Sequence, residues 1–134
     1  MIRYLLDTNI CIELIRGRGD KILKRLKKCR VGEVGISVIT LAELEHGVAK
    51  SSRPEQNRIA LETFCAPLEI RPFDSDAAKC YGEIRGTLER SGQVLGPLDM
   101  LIAAHAFAED ATLVTNNERE FRRVKTLPIE NWIK

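Results

Sequence analysis

The chain has 134 residues, a mass of 15.1 kDa and a formal net charge of +2, which indicates a single domain without a strong overall electrostatic field. Its 44% hydrophobic and 30% charged content is that of an ordinary globular protein, and no apolar run reaches the roughly 18 residues that cross a bilayer. The first apolar run ends at Asp7, too early for a secretory signal, so we expect a cytoplasmic protein with no membrane partner.

Short apolar segments alternate with helical patterns along the chain. Strands are predicted at residues 2–6, 34–36, 68–70 and 112–115, with an edge strand at 129–132. Helices are predicted at residues 10–15, 20–29, 42–48, 54–64, 73–90, 97–109 and 118–124. Asp20 and either Asp74 or Ser75 are expected as N-caps, Pro97 suits a first helical position, and Gly92 marks a helix end.

This alternation predicts an α/β fold with a central, mostly parallel sheet of four to five strands flanked by helices. Binding sites in such sheets form beyond the carboxyl ends of the strands. Asp7 ends the first strand, and Glu43 lies in the helix after the second. Asn117 follows the fourth strand, and Asp99 is on the first turn of a helix. These residues are therefore expected at one edge of the sheet.

Asp7, Glu43 and Asp99 are each flanked by core-forming residues. Burying an unpaired carboxylate is costly, so three of them call for a shared cation, basic partners or separate exposure to water. Carboxylates without histidine or thiolate suit Mg²⁺ or Mn²⁺ better than zinc or copper. Such a metal activates water and stabilises charge on a phosphate under attack. The pattern favours a metal-dependent enzyme that acts on phosphodiesters.

Each carboxylate also has a local explanation. Asp7 can cap the first helix, and Thr40-x-x-Glu43 matches a capping box. Asp99, at the third position of its helix, is stabilised by the helix dipole without any further role. These alternatives remain open at the level of the sequence.

The cysteines and histidines do not suggest a zinc site. No two cysteines form a Cys-x-x-Cys pair, and we expect free, mostly buried thiols at Cys11, Cys29, Cys65 and Cys80. The two histidines, His46 and His105, lie far apart and are expected to be structural or surface residues.

Basic residues are concentrated in two segments. Residues 16–30 contain eight basic residues against one acidic residue, Asp20, and the second cluster is Arg119, Arg122, Arg123 and Lys125. Such patches attract phosphate backbones. The alternative is a solvated helix face, because Ile22, Leu23 and Leu26 form an apolar stripe that leaves the lysines outside.

Four segments in order resemble the motifs of PIN-domain ribonucleases, most closely the VapC toxins of prokaryotic toxin–antitoxin pairs. They are LDTN at 6–9, ISVITLAELEHG at 36–47, GPLDMLIAAHA at 96–106 and LVTNNEREF at 113–121. The resemblance runs from residue 2 to Trp132 and implies a single PIN domain over residues 1–134. It also implies a Mg²⁺- or Mn²⁺-dependent endoribonuclease, a VapB-like antitoxin as inhibitor, a homodimer, and operator DNA bound only through the antitoxin.

By this resemblance, Asp7 and Asp99 are expected to bind the metal directly. Glu43 is expected to bind it through water or to position the nucleophile. Many relatives carry a Thr-x-Asp sequence after the fourth strand, whereas Asn117 stands at the Asp position here. The resemblance therefore leaves two candidates for the fourth site residue, the amide oxygen of Asn117 or the carboxylate of Glu120.

Thr8 and Thr115 are expected to orient these ligands. Only 5% of the residues are aromatic, so any RNA specificity is expected from RNA shape and backbone contacts rather than base stacking. A structured RNA such as transfer RNA is the expected substrate from the resemblance. The alternatives are a metal-dependent nuclease for structured DNA and a non-catalytic regulator whose acidic pocket binds the basic tail of a partner. A phosphoacceptor receiver domain is disfavoured, because the matching acidic pair and strand-end lysine are missing.

Overall fold

The computed structural model describes residues 1–133 and contains one five-stranded sheet. The strands are β1 Tyr4–Leu6, β2 Val34–Ser37, β3 Glu69–Arg71, β4 Thr112–Val114 and β5 Ile129–Glu130. Their order across the sheet is β3-β2-β1-β4-β5, and every neighbouring pair is parallel. The predicted α/β class with a parallel sheet is confirmed.

Seven helices connect the strands within the described part of the chain. They are α1 Thr8–Ile15, α2 Asp20–Lys27, α3 Val38–Ala49, α4 Pro54–Cys65, α5 Ser75–Ser91, α6 Pro97–Ala108 and α7 Glu118–Phe121. None of the helices in residues 1–133 has the length and apolar character needed to span a membrane.

The sheet separates two apolar clusters. Leu5 and Leu113 are register partners and belong to one cluster, whereas Leu6 and Val114 are register partners and belong to the other. This follows from the alternation of side chains along a strand. The first cluster contains buried residues of α5 and α6, and the second contains those of α1 to α4. Helices on both faces leave the strand ends as the open edge of the sheet.

All five strands differ from the predicted bounds by one or two residues at one or both ends, and three of these differences have a local explanation. β1 begins at Tyr4, because the N–H groups of Arg3 and Tyr4 share the carbonyl of Glu33. β3 begins one residue later than predicted, since the N–H of Leu68 donates to the turn that ends α4. β5 ends at Glu130, where the side chain of Asn131 turns the backbone by accepting from the N–H of Ile133.

The N-cap prediction was wrong for α2 and is confirmed for α5, where the structure selects Asp74 from the two candidates. Gly19, not Asp20, is the N-cap of α2, and Asp20 is the first helical residue without a side-chain capping bond. α2 also ends at Lys27 rather than near Cys29, with a tighter final turn. For α5 the N-cap is Asp74, whose carboxylate accepts from the N–H of Ala77 at 3.0 Å.

α7 is a single turn rather than the predicted segment 118–124. After Phe121 the backbone tightens, because the N–H groups of Arg123 and Val124 bond to carbonyls three residues back. Two further expectations were partly wrong. Leu23 is 44% exposed and lies outside the apolar stripe of α2, and Cys11 alone of the four free cysteines is buried.

Candidate active site

Asp7 lies where β1 ends and α1 begins, and it is 4% exposed. Its backbone N–H continues the sheet by donating to the carbonyl of Val114. One carboxylate oxygen caps α1 by accepting from the N–H of Ile10 at 2.9 Å. The other accepts from the hydroxyl of Thr115, which lies directly after β4. The capping explanation for Asp7 is therefore correct, but it uses only one oxygen of a nearly buried charge.

Thr115 links the end of β4 to the chain that follows it. Its hydroxyl is fully buried, donates to Asp7 and accepts from the backbone N–H of Asn117 at 2.9 Å. Within residues 1–133 the side chain of Asn117 makes no capping hydrogen bond to α7. The predicted contact between Thr115 and a candidate ligand is present, and Asn117 is joined to it through its backbone.

Glu43 is held from α1. The hydroxyl of Thr8 donates to a carboxylate oxygen of Glu43 at 2.7 Å and lies 3.2 Å from the buried hydroxyl of Thr40. The capping box proposed for Thr40 and Glu43 is wrong, because α3 begins at Val38 with Ser37 as its N-cap. Glu43 is therefore in the middle of α3, where a capping role is unavailable to it.

Asp99 is the third residue of α6, after Gly96 as N-cap and Pro97 at the first helical position. The helix dipole stabilises its charge there, as expected. Glu120 on α7 forms an ion pair with Arg123 at 3.1 Å, and Arg123 also donates to the carbonyl of Val94 in the segment before α6. The spacing of three residues between Glu120 and Arg123 made their pairing foreseeable from the sequence.

The carboxylates act on one another electrostatically. The pKa of Asp7 is raised to about 6 in the folded protein. Burial raises it most, the hydrogen bonds from Thr115 and Ile10 lower it, and the charges of Asp99 and Glu43 also raise it. Burial also raises the pKa of Asp99, with further increases from Glu43 and Glu120. Asp7, Glu43 and Asp99 therefore lie within electrostatic range of one another, and Glu120 lies within range of Asp99.

No basic side chain neutralises the centre of this cluster. None of Asp7, Glu43 and Asp99 forms an ion pair with another of residues 1–133. In the same part of the chain, no three His, Cys, Asp or Glu side chains lie close enough to hold a metal ion as they stand. An ion would therefore have to draw the carboxylates together against their repulsion. The all-oxygen donor set fits a hard cation such as Mg²⁺ or Mn²⁺.

A cavity of about 450 Å³ opens beside Glu43, between α1, α3, α4 and the start of α6. Thr8, Glu43 and Leu98 connect it to the site, and Arg16 and Lys50 contribute basic groups. A second cavity of about 380 Å³ lies between α5, α6 and the segment after α7, and none of the five predicted site residues lines it.

The basic segments are mainly solvated. On α2 the lysines are exposed, and Arg25 pairs with Glu130 at 2.9 Å while lying over the ring of Trp132. In the second cluster, Arg122 forms an ion pair with Glu118 and Arg123 forms one with Glu120, both acidic residues of α7. Arg119 and Lys125 are exposed. The solvated-face interpretation therefore accounts for α2 without a nucleic acid.

Comparison with known proteins identifies the family. The family model of the PIN domain matches residues 4–127. Ribonuclease VapC2 of Rickettsia felis is 46% identical over 132 residues, which cover 98% of this chain and 98% of that protein. The tRNA(fMet)-specific endonuclease VapC of Shigella flexneri is 40% identical over 132 residues, with 98% and 99% covered.

The fold comparison agrees with the sequence comparison. The crystal structure of VapBC2 from Rickettsia felis bound to a DNA fragment from its promoter aligns with a TM-score of 0.92 and 46% identity, covering 98% of this chain and 99% of that one. The resemblance seen in the four sequence motifs is thus confirmed over almost the whole length. This chain belongs to the PIN domain family.

Proposed function

We propose that this protein is a metal-dependent endoribonuclease and the toxin component of a toxin–antitoxin pair. One observation carries the proposal: Asp7, Glu43 and Asp99 lie within electrostatic range of one another, and none of the three forms an ion pair among residues 1–133. Asp7 is nearly buried, and Glu43 and Asp99 are partly buried. A structural role for such charges would call for cationic partners, because burying an unpaired charge is destabilising. The relatives that share this fold are VapC ribonucleases.

In this proposal Asp7 and Asp99 bind Mg²⁺ or Mn²⁺ directly. Glu43, held by Thr8, binds the ion through water or positions the attacking water. When bound, the ion activates water as a nucleophile and stabilises the charge that develops on the phosphate. The protein orients the carboxylate of Asp7 by two hydrogen bonds. The N–H of Ile10 donates to one oxygen, and the hydroxyl of Thr115 donates to the other.

For the fourth site residue we favour Glu120 over Asn117. The charge of Glu120 raises the pKa of Asp99, and this influence supports a position of Glu120 close to Asp99. Arg123 balances this charge in the absence of an ion. Asn117 contributes its backbone N–H to Thr115, and we assign its side chain a supporting role through its amide oxygen.

We propose a structured RNA, such as transfer RNA, as the substrate. The Shigella flexneri relative is named as specific for tRNA(fMet), and the low aromatic content of this chain favours recognition of RNA shape. The basic groups of Arg16 and Lys50, which line the same cavity as Glu43, suit phosphate oxygens that the acidic residues alone would repel.

We further propose a VapB-like antitoxin as the inhibitor, with operator DNA bound only through that partner. The related Rickettsia felis structure is a VapBC complex on promoter DNA. The cavity beside Glu43 has apolar lining from α1, α3 and α4, which suits an antitoxin segment. We also propose that each chain forms a single PIN domain over residues 1–134. Two such chains would form a homodimer in the cytoplasm.

The decisive experiment is cleavage of a total transfer-RNA pool by the purified, antitoxin-free protein with Mg²⁺, with Mn²⁺ and with EDTA. Asp99→Asn is the matched control, since it removes the charge and keeps the shape. We expect discrete fragments that need both the metal and Asp99.

Two outcomes would replace the proposal. Cleavage of DNA but not of RNA of the same shape would establish a DNA nuclease. Intact nucleic acid under every metal condition would favour a non-catalytic regulator that binds the basic tail of a partner. Equal cleavage of folded and unfolded versions of one RNA would refute recognition of RNA structure while leaving the ribonuclease in place.

A further inference from the structure

His105 is a buried histidine that the proposed chemistry does not use. It lies on α6 and is 1% exposed. Its Nδ1 is 2.7 Å from the hydroxyl of Ser37, across 68 positions of sequence. Ser37 ends β2 and caps α3 by accepting from the N–H of Ile39 at 3.0 Å. One buried hydrogen bond therefore joins α6 to the junction between β2 and α3, called here the β2–α3 junction.

The surroundings of His105 fix its ring in one orientation. Nε2 lies 3.3 Å from a carboxylate oxygen of Glu109 without a hydrogen-bonding geometry, and Phe73 packs edge-on against the ring with centroids 5.4 Å apart. Burial lowers the pKa of His105, although Glu109 opposes this effect. The neutral tautomer with its proton on Nε2 suits both neighbours, because Nδ1 then accepts from Ser37 and Nε2–H faces the carboxylate.

A second contact anchors the same end of α6. Glu109 accepts from the guanidinium Nε of Arg71 at 3.0 Å. Arg71 ends β3 and is the register partner of Ser37 in β2. His105 and Glu109 thus attach the C-terminal end of α6 to two adjacent strand ends.

The position of this anchor matters because of what lies at the other end. Asp99 precedes His105 by six residues on α6, and Glu43 follows Ser37 by six residues on α3. The two helices pack together, and Glu43 and Asp99 lie within Coulombic range. α6 is therefore linked to α3 at two places: the buried bond from His105 to Ser37 at the start of α3, and the electrostatic influence of Glu43 on Asp99. His105 and Asp99 lie about 9 Å apart along the axis of α6.

We propose that His105 is a positioning residue that holds α6 against the β2–α3 junction, so that Asp99 on α6 stays close to Glu43 on α3. Repulsion between the two carboxylates pushes the helices apart, and the buried bond at the far end limits that movement. The role in metal binding rests on the proposed function, whereas the role in helix position does not.

The test compares His105→Leu, which removes the bond, with His105→Asn, whose side-chain oxygen stands near the place of Nδ1 and can accept from Ser37. Ile22→Ala, in the buried face of α2 outside the β2–α3 junction, controls for general loss of stability. Two readouts are needed: Mn²⁺ binding by calorimetry, and the separation of the Cα atoms of Glu43 and Asp99 in metal-free crystal structures.

We expect His105→Leu to weaken Mn²⁺ binding by about tenfold or more and to widen the Cα separation. His105→Asn should retain most of the affinity, and Ile22→Ala should change the melting temperature without changing Mn²⁺ binding. An unchanged separation and affinity in His105→Leu, or an equal loss of affinity in Ile22→Ala, would overturn the inference. A wild-type protein that binds no Mn²⁺ would refute the proposed function, and the Cα separation would still decide the role of His105.

Discussion

At the scale of single residues, Asp7 combines a structural and a chemical role. Its capping bond to Ile10 stabilises the start of α1, while its burial makes the charged form costly. The two roles respond differently to substitution. Asparagine keeps a capping oxygen and removes the charge, whereas alanine removes both and gives up a cap that contributes about 1 kcal/mol.

We predict that Asp7→Asn abolishes cleavage and makes the metal-free protein more stable than the wild type at neutral pH. The pKa of Asp7 is about 6 in the folded protein and 3.8 as the reference value. The folded state therefore holds this proton more tightly, and the wild type should lose on the order of 3 kcal/mol as pH rises from about 4 to 6. Urea unfolding of both proteins in EDTA at pH 4.5 and pH 7.5 measures the difference.

The asparagine variant lacks this titration, so its advantage should be present at pH 7.5 and largely absent at pH 4.5. The opposite result would be a wild-type protein whose stability, relative to the Asn variant, increases from pH 4.5 to pH 7.5. It would show that folding favours the charged form of Asp7. That result would contradict the raised pKa and indicate a cationic partner in solution.

Thr115→Val tests the hydroxyl that donates to Asp7. The hydrogen bond from Thr115 lowers the pKa of Asp7, so its loss should raise that pKa further. Hydrogen bonds to charged groups contribute about 1.5–3 kcal/mol. We expect the acidic limb of the pH profile of cleavage to move to higher pH, with activity restored in alkaline buffer. An unshifted profile with uniformly low activity would instead point to altered packing at the end of β4.

At the scale of elements, α5 shows how backbone geometry decides the effect of one substitution. Gly82 lies within α5 with open space around it, whereas Gly92 is the C-cap with φ of +70°. A side chain is tolerated at the first position and strained at the second. Both lie on one helix, which makes them a matched pair.

We predict that Gly82→Ala stabilises the protein by about 1 kcal/mol and that Gly92→Ala destabilises it by about 1 kcal/mol. Neither residue touches the carboxylates, so RNA cleavage at 25 °C should be unchanged in both variants. Thermal unfolding gives the signs. Destabilisation by Gly82→Ala would reveal a partner surface on that face of α5.

At the scale of the whole molecule, the distribution of charge matters more than its sum of +2. Lys24 lies on the exposed face of α2, whereas Arg16 and Lys50 line the cavity that reaches Glu43. Within residues 1–133 none of these three forms an ion pair, so each is available to a phosphate.

We predict that Arg16→Ser and Lys50→Ser weaken RNA binding and that each lowers the slope of log K against log salt by about 1. Lys24→Ser, on the solvated helix face, should leave the slope nearly unchanged. Filter binding at several salt concentrations, with cleavage blocked by Asp99→Asn, measures this. A larger effect of Lys24→Ser would move the RNA path onto α2.

Local patterns were sufficient to predict much of this molecule. Alternating apolar strands and helices predicted the parallel sheet, because their periods depend on nearest neighbours along the chain. The position of Asp7 followed from the rule that sites form at strand ends. Most errors were at element ends, such as Asp20 and Thr40, where the choice of N-cap depends on neighbours outside the helix. The exposure of Leu23 and the partial exposure of three cysteines were also not foreseen, because burial depends on packing between elements.

Short segments of the sequence were enough to predict the α/β class, the family motifs and the three carboxylates. The packed structure was needed to show that β1 lies at the centre of the sheet and which ligand each threonine contacts, Thr8 meeting Glu43 and Thr115 meeting Asp7 across 108 positions. It also decided that His105 meets Ser37. Such pairings depend on how the helices pack against the two faces of the sheet, and no local pattern encodes that packing.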